Sequence, residues 1–156
     1  MDQPVKPSRP TRRTLLIATA ATTAFGWLAR PALAAPGELA KAQAALFGDR
    51  EIRKGRVDVT LPPISENGYS VPIRIDVDSP MTETDHVVQV AVFSPQNPLP
   101  NVAQFKLGPR AGQASIETRI RLGGSQAVTV VAEMNDGSLW SGSDETVVTL
   151  AACVVL

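Results

Sequence analysis

"VPIRIDVD", residues 71–78, sets Val71, Ile73, Ile75 and Val77 against Arg74, Asp76 and Asp78. A period of two places alternate side chains on opposite faces of an extended strand, so this stretch has one dry face and one wet face. "RVDVTL" at 56–61 repeats the pattern with Val57, Val59 and Leu61 against Arg56, Asp58 and Thr60. "ASIETRIRL" at 114–122 does the same with Ile116, Ile120 and Leu122 against Glu117, Arg119 and Arg121. Half-buried strands of this kind belong to antiparallel sheets.

Four further runs are apolar and β-branched: "HVVQVAVFS", "NVAQFKL", "AVTVVAEM" and "DETVVTL". Turn chemistry separates them, in "SENG", "SPQNPLPN", "GPRAG", "GGSQ" and "NDGS". The Gly123-Gly124 pair reads as a hairpin turn. About seven strands in roughly 95 residues predict an all-β, immunoglobulin-like two-sheet antiparallel sandwich. Before the strands, "PGELAKAQAALFGDR" carries helix chemistry. Pro36 opens it, Leu39, Ala42 and Leu46 recur at helical spacing, and Gly48 closes it. This short helix either packs on one end of the domain or grips a partner.

The first residues carry export signals. Arg12 and Arg13 in "TRRTLL" precede an apolar run from Leu15 to Leu28, and Ala32-Leu33-Ala34 is a small-x-small cleavage box. The paired arginines mark the twin-arginine route to the periplasm. The run is about 14 residues, short of the roughly 20 that span a bilayer. The expected organisation is a signal peptide at 1–34, a helix and lead-in at 35–54, a sandwich at 55–150 and a cysteine tail at 151–156. Five of the 15 basic residues leave with the signal and only one of the 15 acids, so the mature chain carries ten Lys and Arg against 14 Asp and Glu. That balance argues against nucleic acid or an anionic membrane as partner.

Candidate chemistry is sparse. His86 is the only histidine and Cys153 the only cysteine, so zinc, iron–sulfur and blue-copper sites lack ligands. A Cys153–His86 catalytic pair would need hydrogen-bond reach; the simpler reading of His86 is a strand-edge residue. Asp76 and Asp78 share a strand face as exposed alternation, and Trp140 and Met134 belong to the core or an interface rim. No phosphate loop or dinucleotide fingerprint is present.

Cys153 sits in "LAACVVL". One reading makes "TVVTLAACVVL" a long last strand, apolar on both faces, with the cysteine a small buried hydrophobe. The nearest preceding base is Arg121 and the nearest charges are acidic, so sequence neighbours do not activate the thiol. An odd cysteine in an exported chain nonetheless points to intermolecular pairing or to a thiol with a task.

"LPPISENGYSVPIRIDVDSPMT", "NPLPNVAQFKLGPRAGQASIETRIRL" and "VTVVAEMNDGSLW" together resemble the thiosulfate-oxidation carrier family SoxY, from about Gly55 to Leu150. The resemblance implies a periplasmic, non-enzymatic sulfur carrier without a cofactor, paired with a SoxZ-like subunit. It would hold thiosulfate-derived sulfur as a covalent adduct on Cys153 and present it to haem, hydrolase and sulfane-oxidising enzymes. In that family the cysteine lies in a Gly-Gly-Cys-Gly-Gly arm. Here Ala151 and Ala152 stand before Cys153, and Val154 and Val155 follow it. A diverged carrier is the favoured reading, with a fixed structural tail or an altered chain end as alternatives. The rival from another class is a secreted immunoglobulin-like interaction module whose last strand docks on a partner. A cysteine-dependent hydrolase or reductase ranks last.

Overall fold

In the computed structural model, residues 36–152 are described. The signal peptide expected at 1–34, and Cys153, Val154 and Val155 of the tail, lie outside the described residues.

Helix α1 (Pro36–Phe47) begins with proline, whose missing amide costs nothing in a first turn. It ends at Gly48, which takes the left-handed conformation (φ 68°) and returns its amide to the Ala44 carbonyl. Nine strands follow: β1 (Ile52–Lys54), β2 (Val57–Thr60), β3 (Ile64–Ser65), β4 (Val71–Val77), β5 (Val87–Phe93), β6 (Asn101–Lys106), β7 (Ser115–Ile120), β8 (Gln126–Met134) and β9 (Leu139–Val148). A 3-10 turn at Pro109–Ala111 separates β6 from β7. The larger sheet runs β1-β9-β8-β5-β6, with β3 also on β9, and the smaller runs β2-β4-β7.

All seven expected strands are present, and the architecture is the expected sandwich. The two additional strands, β1 and β3, are three and two residues long, too short for a periodic signal, and they pair with β9 in parallel. β9 also starts earlier than the "DETVVTL" run, because Leu139 to Ser143 extend its ladder with β8. The Gly123-Gly124 pair is not a hairpin turn. β7 and β8 belong to different sheets, so residues 121–125 carry the chain across the sandwich.

Val71, Ile73, Ile75 and Val77 are all buried and form the small sheet's inner face. They meet Val87, Val90 and Val92 of β5 and Val128, Val130, Ala132 and Met134 of β8 in one core. β5 and β8 do not alternate because their outer face is covered too. Ala91, Phe93, Val131 and Leu139 pack there under α1, where Phe47 meets Phe93 edge-on at 6.3 Å. Leu39, Ala42 and Leu46 join this second cluster, so the helix packs on a sheet face rather than on one end.

Residues 52–65 accompany β9 along its length while changing sheets. Gly55 (φ 117°) and Arg56 (φ 56°) turn the chain out of the large sheet after β1. β2 then joins the small sheet, and β3 returns to β9. Leu61 N–H donates to Asp144 Oδ2 at 2.8 Å on the way. Where β2 passes β9 the backbones nearly touch: a Cβ on Gly142 would lie 2.0 Å from the Val57 carbonyl oxygen. Gly142→Ala should therefore cost about 3 kcal/mol or more as an overpacked backbone contact, measured by denaturant unfolding.

The small sheet's outer face is polar. Arg74 pairs with Asp76 at 2.7 Å and also with Glu117 on β7. The Arg74 hydrogen bond, with help from Ser115, holds the Asp76 carboxyl below the usual range. A lowered carboxyl pKa stabilises the fold at neutral pH, and this contribution is lost as pH falls through the lowered value. The pair is exposed, so Asp76→Asn should cost under about 1 kcal/mol at pH 7. In unfolding experiments against pH, the difference from the parent should shrink below about pH 4.

Candidate functional site

β9 ends at Val148, and the next four residues leave the ladder without becoming free chain. Val147 N–H donates to Pro63 O and Thr149 N–H to Ser65 O, each at 3.0 Å. Thr149 Oγ1 donates to the Glu66 carbonyl at 3.0 Å. Beyond this, two backbone bonds tie the tail to two loops and a third ties the loops to each other. Gly68 N–H donates to Leu150 O at 2.8 Å, Leu122 N–H to Gly68 O at 2.9 Å, and Ala152 N–H to Leu122 O at 3.0 Å. The residue that follows is Cys153.

Gly68 sits inside this clamp. A Cβ there would lie 2.6 Å from Leu122 O and 2.9 Å from both Leu150 O and Ala152 N. Only a residue without a side chain lets three backbones converge so closely.

The 121–125 crossing that supplies the Leu122 carbonyl is itself pinned from below. Leu122 is fully buried, and Ser94, Asn97 and Gln126 are buried polar residues. Asn97 Nδ2 donates to Arg121 O at 2.8 Å, and Gly123 N–H donates to Asn97 Oδ1 at 2.7 Å. Gln126 Oε1 accepts from Ser94 Oγ and from Gln96 N–H, while its Nε2 donates to Gly124 O. Ser125 Oγ accepts from Val148 N–H at 2.8 Å and lies 3.3 Å from Val148 O, replacing a strand partner at the end of β9. Each amide side chain meets backbone groups that a buried loop would otherwise leave unpaired.

Ala151 and Ala152 are half-buried, and Ala152 is part of the mount rather than of a loose arm. "TVVTLAACVVL" is therefore not one continuous strand: its ladder stops at Val148. Around the root, Ile64, Tyr69, Val147 and Leu150 are exposed apolar residues, and Ile64 and Val147 are direct neighbours across the β3–β9 pairing.

The other candidates lie elsewhere. Among the described residues His86 meets no carboxylate; its Nδ1 lies 3.0 Å from Thr82 O, and its backbone N–H donates to Asn135 Oδ1. It sits at the Met134 end of the large sheet, whereas the tail leaves at the Gln126 end. The nine residues of β8 separate those ends by about 27 Å. The structure thus does not bring His86 to the tail's root. Asp136, held below the usual carboxylate range by hydrogen bonds from Ser138, belongs to the same distant hairpin. Asp76 is on the small sheet, and Asp78 follows the end of β4. Met134 is core, and Trp140 is half-buried with the Arg53 and Arg56 guanidinium groups 5.7 and 5.8 Å from its ring. Among the described residues, no group of three or more His, Cys, Asp or Glu could hold a metal ion.

Sequence reasoning missed Gly68, Leu122, Ser125, Asn97 and Gln126. Gly68 read as an ordinary turn glycine in "SENG". The amides read as loop polarity, since nothing local marks them as buried.

Comparison with known proteins places this arrangement. The family described as "Sulfur oxidation protein SoxY" matches residues 43–153. The sulfur carrier protein SoxY from Chlorobium limicola f thiosulfatophilum superposes with a TM-score of 0.62 at 28% identity, over 74% of this chain and 100% of that one. A superoxide reductase (neelaredoxin) from Ignicoccus hospitalis shares the fold at 13% identity and TM-score 0.53, over 60% of this chain and 80% of its own. A putative superoxide reductase from Thermotoga maritima does so at 20% identity and TM-score 0.50, over 63% and 87%. The last two likenesses concern the fold alone. No curated protein matches.

Gly68→Ala should push the tail out of its clamp and cost about 1–3 kcal/mol. The Ala152 amide should then lose hydrogen-exchange protection ahead of global unfolding, as native-state exchange would show.

Proposed function

This chain belongs to the SoxY family of sulfur oxidation proteins, and on that premise we propose that it is a periplasmic sulfur carrier that bears its cargo on Cys153. One observation carries the reading: the family match runs to the only cysteine, and the clamp at Gly68 fixes the backbone up to the residue before it. A carrier needs its attachment point held at a defined place on the surface, and the mount supplies this.

The cargo chemistry follows from a thiol. Cys153 and thiosulfate together lose two electrons and the thiol proton as a sulfur–sulfur bond forms, and a haem partner accepts the electrons. Water then cleaves the sulfonate group as sulfate and leaves a persulfide on Cys153. Further partner enzymes oxidise that sulfur and return the thiol. The protein performs none of these steps itself; it keeps the reactive sulfur attached between them.

The tail's departure from a glycine arm changes how partners meet it. Ala151 and Ala152 keep narrow side chains, but Ala152 is engaged by Leu122, so less backbone before the cysteine is free to enter a deep channel. Val154 and Val155 add β-branched bulk after it. Partners that act on this chain approach the root of the tail itself. The apolar collar of Ile64, Tyr69, Val147 and Leu150 offers them a contact surface there. A SoxZ-like subunit completes the complex, and the twin-arginine signal at 1–34 delivers the chain to the periplasm.

The test is the intact mass of the mature protein purified from its own periplasm without reductant, beside reduced protein and Cys153→Ser. The expected result is a set of reductant-labile additions of sulfur or of a thiosulfonate group that the serine variant lacks. A single unmodified mass, unchanged by thiosulfate with the cognate partners, would overturn carriage and leave the tail a structural element.

A further inference from the structure

The sandwich is closed on one side and open on the other. On the open side β6 pairs only with β5, and β7 only with β4, among the described residues. Between them lies a groove of about 480 Å³ lined by Leu99, Val102, Ala103, Thr118, Arg119 and Arg121, among others. Leu99 is 77% exposed, the highest value of any large apolar side chain described. Val102, Phe105 and Ile116 are half-buried where they border the core.

Backbone geometry makes both walls of the groove receptive. Leu107 N–H bonds Val88 O, so in the alternating antiparallel ladder the amides of Lys106 and Gln104 point away from β5. Val77 N–H bonds Ala114 O, and the same alternation turns the amides of Glu117 and Arg119 away from β4. Two unpaired strand edges thus face a shared gap, a ready template for an added strand.

Charge selects what fills it. Of the ten cations among residues 36–152, five make ion pairs with other described residues: Lys41, Arg50, Arg53, Arg56 and Arg74. Four of the remaining five, Lys106, Arg110, Arg119 and Arg121, lie within this one segment of the chain. Among the described residues, Arg119 reaches only the Ser70 carbonyl and hydroxyl, at 3.4 Å. The one acid between residues 97 and 124 is Glu117, already paired with Arg74. Two of these four, Arg119 and Arg121, line the groove itself, and no carboxylate among the groove's lining residues faces them.

We infer that the β6–β7 edge receives an extended strand of a partner protein that alternates carboxylate and apolar side chains. The partner's backbone pairs with the Gln104 and Lys106 amides, its apolar residues cover Leu99 and Val102, and its carboxylates meet Arg119 and Arg121. The groove ends at Asn97 and Arg121, the residues that brace the tail's seat, so a strand bound here lies beside the root of the tail. The inference stands on the open edge and its charge, and does not depend on sulfur carriage.

The probe is a fluorescein-labelled, end-capped peptide of alternating glutamate and valine, titrated at low salt against the mature protein by fluorescence anisotropy. The same peptide with lysine for glutamate is the control. The glutamate peptide should bind, weaken with added salt and slow amide exchange at Gln104 and Lys106, while the lysine peptide should not bind. Arg119→Glu with Arg121→Glu should weaken binding by about tenfold or more, as loss and reversal of two charge contacts. Gln104→Pro removes an outward amide without touching the β5 ladder and should weaken it similarly, with the thermal midpoint near the parent's. Leu99→Ser, at an exposed tip, gives a third variant that keeps the fold. Equal binding of both peptides, no binding of either, or binding indifferent to all three variants would overturn the proposal. So would sedimentation showing that a second copy of this chain occupies the edge and is released by the Arg119→Glu, Arg121→Glu variant.

Discussion

The contact between Gly142 and the Val57 carbonyl governs the shape of the whole sandwich. A side chain at 142 would hold β2 away from β9, and the segment from β1 to β3 could no longer follow the last strand while crossing from sheet to sheet. Because it can, β9 is bonded on both sides: to β8 along its length, and to β1 and β3 at its two ends. One flank of the sandwich is thereby sealed at the level of the backbone. Among the described residues, the opposite flank has no such strand to seal it, and β6 and β7 line an open groove. Two features follow from this asymmetry among the described residues: a last strand bonded on both sides up to the tail, and a free edge beside the tail's root.

The seat of the tail shows how few side-chain contacts a defined exit requires. Leu150 and Ala152 are held through their peptide groups, and Gly68 contributes by having no side chain. Specific side chains enter one layer down. Asn97 and Gln126 fold the 121–125 crossing into a shape that aims the Leu122 carbonyl at the tail, and Ser125 takes over as partner where β9 runs out of strand. Rigidity is thus built beneath the exit, in buried hydrogen bonds, while the surface around it stays apolar and accessible.

Much of the sandwich was legible because one-sided burial writes itself as alternation. Val71 to Val77 announced both their strand and their inward face, and the helix was readable from Pro36, Gly48 and its apolar spacing. What escaped had no local signature. β1 and β3 are too short to show a period, and their parallel pairing depends on β9, some 80 residues later in the chain. Gly123-Gly124 resembles a hairpin turn because glycine pairs serve hairpins and crossings alike; which sheet receives the next strand is a tertiary fact. Being the only cysteine singled out Cys153, and the resemblance gave it a role, but Gly68 and Asn97, which build the mount before it, were indistinguishable from turn residues. Net charge misled in a similar way, since an acidic total hides Arg119 and Arg121, which line one groove with no ion-pair partner among the described residues.

The clamp at Gly68 also has an evolutionary consequence. It grips peptide groups at positions 150 and 152 rather than their side chains, which asks only for a small residue with an amide hydrogen at 152 and a bare position 68. Selection can therefore rewrite the tail residue by residue, exchanging flexible glycines for alanines or adding valines beyond the cysteine, without rebuilding the place from which it departs. The body and its appendage are free to drift at different rates, and a lineage can retune what the appendage meets while inheriting the same anchorage.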